Sequence, residues 1–156
     1  MLPVRNLSVV LLFTLLLGLL LLPQLQAAEP ALTPTTPPEG VQMADAVQVQ
    51  TLQANGAIVV DARKAAEFAE GSIKGAVSVP YDPEQSAKDI SFDASKDKYD
   101  LSSIADKSKS YIVYCNASSC WKSYKLVTVM ARAGYKHLYW YRDGFPDWKA
   151  RRLPVE

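Results

Sequence analysis

The chain's two cysteines, Cys115 and Cys120, share one short stretch, YIVYCNASSCWKS, set between a run of strand formers and a run with helical spacing. A loop that joins a strand end to a helix start turns several backbone N–H groups toward one point, and the helix dipole adds a partial positive charge there. A thiol in such a cradle shifts toward thiolate, and Lys122 at the helix entry supplies a nearby cation. The same donors would hold a persulfide or an oxyanion. The pattern therefore suits a nucleophile, Cys115, that collects a sulfur atom and hands it on. Asn116, Ala117, Ser118, Ser119, Trp121, Lys122 and Ser123 form the candidate substrate-binding loop. The serine hydroxyls are its donors and Trp121 its wall, although Ser at a helix start also reads as a cap and Trp as a core residue.

Cys120 leaves two readings open. It can resolve what Cys115 carries, releasing sulfur or closing a redox-sensitive disulfide, or the pair can be a permanent disulfide in a domain that only binds. Two thiols and the single histidine, His137, cannot complete a closed zinc site, and no metal or other cofactor is expected. His137, beside Lys136, reads as a surface residue. Asp61 closes the apolar run AIVV and reads as structural support, tethering a loop. Arg63 is a candidate for binding an anionic donor, or for an ion pair with Glu67 four residues on. A phosphatase loop would need Arg after five residues from the cysteine. That position holds Trp121, so the phosphate clamp is missing.

The elements that must position these residues alternate. Met43 to Ala54 has loosely helical spacing stopped by Asn55-Gly56, and Ala57 to Val60 reads as a strand buried on both faces. Lys64 to Glu70 predicts a turn or two of helix ended by Gly71, and Ala76 to Val79 a strand stopped by Pro80. From Asp82 to Ser110 the chain is rich in Ser, Asp and Lys and most of it reads as solvated loop, with a helical hint only at Leu101 to Ala105. Tyr111 to Tyr114 is a strand and Lys122 to Ala133 a helix with Leu126, Val127, Val129 and Met130 on its apolar face. Leu138 to Tyr141 is a last strand and Phe145 to Arg151 a last helix, with Tyr139, Trp140, Phe145 and Trp148 expected to pack the two together. Strands alternating with helices predict an α/β domain, a central parallel sheet flanked by helices on both faces. Asp61 and Cys115 then sit at carboxyl ends of strands, where such sheets bind ligands.

The first 28 residues carry Arg5, an apolar run from Leu7 to Leu22, and Ala27-Ala28. They read as a secretory signal peptide, with an uncleaved membrane anchor as the alternative. Residues 29–40 form a Pro-rich tether, and residues 41–156 the domain. Export places the protein in the periplasm, where two cysteines default to a disulfide. With 17 basic and 16 acidic residues in all, nothing in the charge suggests nucleic acid.

VVDAR (Val59 to Arg63), EFAEGSIKGAVSVP (Glu67 to Pro80), YIVYC (Tyr111 to Cys115), Ser123 opening a helix, and the segment from Ala133 to Glu156 together resemble the single-domain rhodanese family. Cys120-Trp121 resembles its exported subgroup with a second loop cysteine followed by Trp. The resemblance implies a sheet of about five parallel strands and an active-site Cys115. It also implies a sulfurtransferase that moves sulfane sulfur from a donor such as thiosulfate, through a persulfide, to a thiol or cyanide. The alternative is a non-catalytic sulfur-carrier or redox-partner module with a Cys115–Cys120 disulfide. The chain departs from the family in its longer, glycine-free loop, in Ser72 for a common His, and in Asp143-Gly144 for a pair of glycines.

Overall fold

Short apolar runs between glycine and proline stops form a five-stranded parallel sheet in the computed structural model, which describes residues 34–81 and 87–156. The strands are β1 (Val41–Met43), β2 (Ile58–Asp61), β3 (Val77–Ser78), β4 (Ser110–Tyr114) and β5 (His137–Tyr141), in the spatial order β1-β5-β4-β2-β3. The helices are α1 (Ala46–Ala54), α2 (Ala65–Ala69), α3 (Trp121–Arg132) and α4 (Gly144–Ala150), with one 3-10 turn at Ser102–Ile104. The anticipated leader lies outside the described residues, as does the first part of the tether. Among the described residues no helix is long and apolar enough to cross a membrane.

Alternation along the strands splits the core into two layers. Val60, Val113 and Trp140 share one register row and pack with Leu126, Val127 and Met130 of α3. Val59 and Ile112, one position earlier, face the other way with Ala46 and Val49 of α1 and Phe145 and Trp148 of α4. Helices on both faces explain why β2 and β4 read as continuous apolar runs.

Three expectations need correction. Met43 ends β1 instead of opening α1; Asp45 caps that helix, its carboxylate accepting from Gln48 N (2.8 Å) while the Gln48 side chain accepts from Asp45 N (2.9 Å). Trp140 does not join Trp148 and Phe145. It faces α3, where its ring meets Tyr124 edge-on at 5.2 Å, and Tyr141 makes the contact with Trp148 instead. The stretch before β4 is not wholly solvated: Asp97 and Ile104 are buried, and Asp97 pairs with an equally buried Lys125 on α3.

The connections from β2 and β4 leave in opposite directions, β2 toward the β3 edge and β4 toward β5. Such a reversal opens a crevice beyond the carboxyl ends of the two strands. Asp61 ends β2, and Cys115 follows β4 directly.

Candidate active site

Cys115 is 1% exposed and joined to Cys120 in a disulfide. In this state the loop expected to cradle a thiolate closes over an S–S bond. Cys120, half-buried, stands at the N-cap of α3 without a capping hydrogen bond from its own side chain, and the first turn of that helix holds no acidic residue. The loop between the cysteines makes a tight turn in which Cys120 N donates to Ala117 O at 2.9 Å. From below it is held by α4, where Phe145 N donates to Cys115 O at 2.9 Å. Gly144 makes that approach possible: its φ is +67°, and a Cβ there would run into the Cys115 carbonyl. The sequence departs from a glycine pair at Asp143 but keeps glycine at the position that geometry requires.

Glu67, on α2, spans the cysteine loop from above. Its carboxylate accepts from Asn116 Nδ2 at 2.6 Å and from Lys64 N at 3.1 Å, and pairs with Lys122 Nζ at 3.7 Å. Asn116 follows the first cysteine and Lys122 lies two residues past the second, so one side chain ties both ends. Burial alone would raise the Glu67 carboxyl, but the hydrogen bonds from Asn116 and Lys64 and the charge of Lys122 outweigh it and hold it below its ordinary value.

One strand away, Asp61 organises a buried polar cluster. It receives Arg63 N at 2.8 Å and a two-pronged contact from the Arg63 guanidinium, whose Nη2 lies 2.6 Å from Oδ2, and the Tyr114 hydroxyl also donates to it. Arg63 Nη2 donates further to Gly71 O at 2.7 Å, and its guanidinium lies over the Phe145 ring at 4.2 Å. Burial opposes the Arg63 charge, but the Asp61 carboxylate more than compensates and raises its pKa. Burial and then the Asp61 charge push the Tyr114 phenol far up, keeping it a donor. Arg63 is thus neither an open anion binder nor the partner of Glu67. At 4% exposure it is a structural cation for Asp61.

Ser123, expected as a donor to sulfur or as a cap, is buried in the first turn of α3, where its Oγ accepts from Trp140 Nε1 at 3.0 Å. Trp121 is half-buried and meets Tyr81 edge-on at 4.5 Å, forming an aromatic wall beside Cys120. Ala117, Ser118 and Ser119 lie within the turn between the cysteines, half-buried. The reading from sequence missed Glu67 as a loop clamp, Tyr81, and the Lys125–Asp97 pair. In that pair Lys125 Nζ lies 2.8 Å from Asp97 Oδ1 and 5.5 Å from the Trp121 ring. His137 is exposed. Among the described residues no group of three or more His, Cys, Asp or Glu could hold a metal ion.

The rhodanese-like domain family matches residues 45–151, well over half of the chain. Solved structures of similar fold include the rhodanese-like domain of an Anabaena protein, 23% identical, with a TM-score of 0.54 over 73% of this chain and 77% of that one. A full-length protein from Lactobacillus plantarum is 28% identical, with a TM-score of 0.51 over 73% of this chain and 86% of that one. A thiosulfate sulfurtransferase from Pseudomonas aeruginosa is 21% identical, with a TM-score of 0.52 over 74% of this chain but only 20% of its own. No curated protein gives a significant match. The matched region holds four of the five strands, both cysteines and the Asp61 cluster, and on it the chain belongs to the rhodanese-like domain family.

Proposed function

We propose that the protein transfers sulfane sulfur through Cys115, with Cys120 as the resolving thiol and the disulfide as the oxidised resting form. The observation that carries this reading is the position of the S–S bond, between the end of β4 and the N-cap of α3, where Cys120 makes no side-chain capping hydrogen bond. When a thiol reductant opens the bond, the helix dipole favours thiolate over thiol for the whole pair, Cys120 at the N-cap and Cys115, its bonding partner. The Cys115 thiolate attacks the outer sulfur of a small donor; with thiosulfate as donor, the S–S bond of thiosulfate breaks, sulfite leaves, and Cys115 becomes a persulfide. A thiol or cyanide acceptor then takes the outer sulfur. Alternatively the Cys120 thiolate attacks the inner sulfur, expels hydrosulfide and restores the disulfide. Reducing equivalents for reopening come from an external dithiol, the class of redox partner this cycle needs.

A second reading is favoured by the 1% exposure of Cys115: a non-catalytic carrier or redox-partner module with a fixed disulfide. Export fits both readings, because a periplasmic protein meets an oxidising compartment. The test is the mass of the reduced protein after thiosulfate. Sulfur transfer predicts a gain of one sulfur atom that persists in Cys120→Ser, is absent in Cys115→Ser, and in the wild type is given up as Cys120 restores the disulfide. No gain in any of the three forms, with the wild-type disulfide resisting mild reductants, would establish the module.

A further inference from the structure

We infer that the sulfur donor this site is built for is an alkyl persulfide carrying at most one negative charge, not a divalent inorganic oxyanion such as thiosulfate. The inference rests on the sulfur-transfer reading above and narrows its substrate.

Three cations of the site, Arg63, Lys122 and Lys125, each already have a carboxylate. Arg63 is paired with Asp61, both buried, through two prongs. Lys122 faces Glu67 at 3.7 Å, and Lys125 faces Asp97 at 2.8 Å with both side chains sealed from water. Arg142, just past β5, turns to the carbonyl of Pro34 at 3.1 Å. The remaining cations, Lys64 at the N-cap of α2 and Lys149 on α4, are exposed to water. A dianion entering here gains a counter-charge only from cations that water screens or by breaking an ion pair, and breaking a buried pair strands its partner. The α3 terminus offers its partial positive charge to the sulfurs of the cysteine pair, Cys120 at the N-cap and Cys115 bonded to it, and the attacking thiolate already uses it. Beside Cys120, the surface a donor meets is the half-buried Trp121 ring, backed edge-on by the buried Tyr81 and suited to the carbon and sulfur of an alkyl chain.

In the step this favours, the Cys115 thiolate attacks the outer sulfur of R–S–SH. That S–S bond breaks, R–S⁻ leaves, and Cys115–S–SH forms.

The experiment loads the reduced full chain with equal concentrations of thiosulfate or 2-hydroxyethyl persulfide and follows the one-sulfur mass gain with time. Loading from the persulfide is expected to be about tenfold faster or more. Glu67→Gln, which frees the Lys122 charge, is expected to raise the ratio of thiosulfate to persulfide rates about threefold, the size of a partly exposed pair. Thiosulfate loading at an equal or higher rate overturns the inference while leaving sulfur transfer intact. A ratio that Glu67→Gln leaves unmoved removes the charge argument and overturns it as well. Loading from neither donor overturns the sulfur-transfer reading, and this inference with it.

Discussion

Around the end of β2, Asp61 and Arg63 are locked together with Tyr114, which reaches across from β4; just past the end of β4, the polarity sits in a loop that can open. Asp61, Arg63 and Tyr114 are almost wholly buried, and each of their charges or hydroxyls has a partner within the cluster. The Cys115–Cys120 loop is held by a bond that a thiol can break and by a half-buried clamp, Glu67, that water reaches. The difference separates two uses of polar groups at one sheet edge. The first fixes where the strand ends lie. The second gives the edge something that can change state without moving them.

The sharpest way to break that contrast is to remove Asp61. Asp61→Ala leaves the Arg63 guanidinium buried without its counter-charge and the Tyr114 hydroxyl without its acceptor. The expected loss is about 3–5 kcal/mol, read as a lower urea midpoint. A loss below about 1 kcal/mol would mean that Arg63 escapes to water and that the cluster is not locked. Gly144→Ala comes next, because it forces a side chain into a left-handed backbone position against the Cys115 carbonyl. About 2–3 kcal/mol of destabilisation is expected, and the variant's disulfide should also reduce faster, since the contact under the loop is what the new Cβ displaces. An unchanged reduction rate would uncouple α4 from the loop.

Opening the disulfide itself should cost less. The cysteines are five residues apart, and closing so short a loop contributes roughly 2 kcal/mol of chain entropy. The reduced protein should therefore remain folded, with its urea midpoint lowered by less than in Asp61→Ala. Unfolding on reduction would make the S–S bond a structural staple and take away the contrast between the two strand ends.

How much of this could be read in the residues depended on the distance between partners in the chain. The central strands announced themselves because both of their faces are buried, so AIVV and YIVY lack polar interruptions. Strand β1 escaped notice because it is three residues long and exposes Gln42 and Met43; the Asp45 to Gln48 capping box was the available signal that α1 begins after it. The loop cysteines were legible as a unit, but not the extent of their burial, which α4 imposes from 30 residues downstream through Phe145 and Gly144. Arg63 was misjudged because its partner is two residues back. Spacing rules for helices point four residues on, to Glu67, whereas at a strand end the chain turns and brings i and i+2 together. Lys125 and Asp97 are 28 residues apart with no periodic pattern between them, so only the fold reveals the pair.

The smallest effect tests the clamp, and its sign follows from the direction in which Glu67 is shifted. Its carboxyl in the folded protein is held below the ordinary value of 4.5. The unfolded chain therefore takes up the proton first as pH falls. The clamp's contribution is complete above that ordinary value and disappears as pH drops through the lowered, folded one. Protonated Glu67 no longer opposes the charges of Lys122 and Arg63, and its hold on Asn116 weakens. Reduction of the disulfide by a phosphine should then accelerate in wild type over that acidic range, relative to Glu67→Gln, which carries an uncharged side chain at every pH. The ratio of the two rates cancels the protonation of the reductant, which is common to both. At neutral pH Glu67→Gln should be the faster by a few fold, as expected for a pair that water partly screens, and the two should converge in acid. Parallel profiles, with no convergence, would show that Glu67 braces the loop by packing alone, and that the β4 end is as fixed as the β2 end beside it.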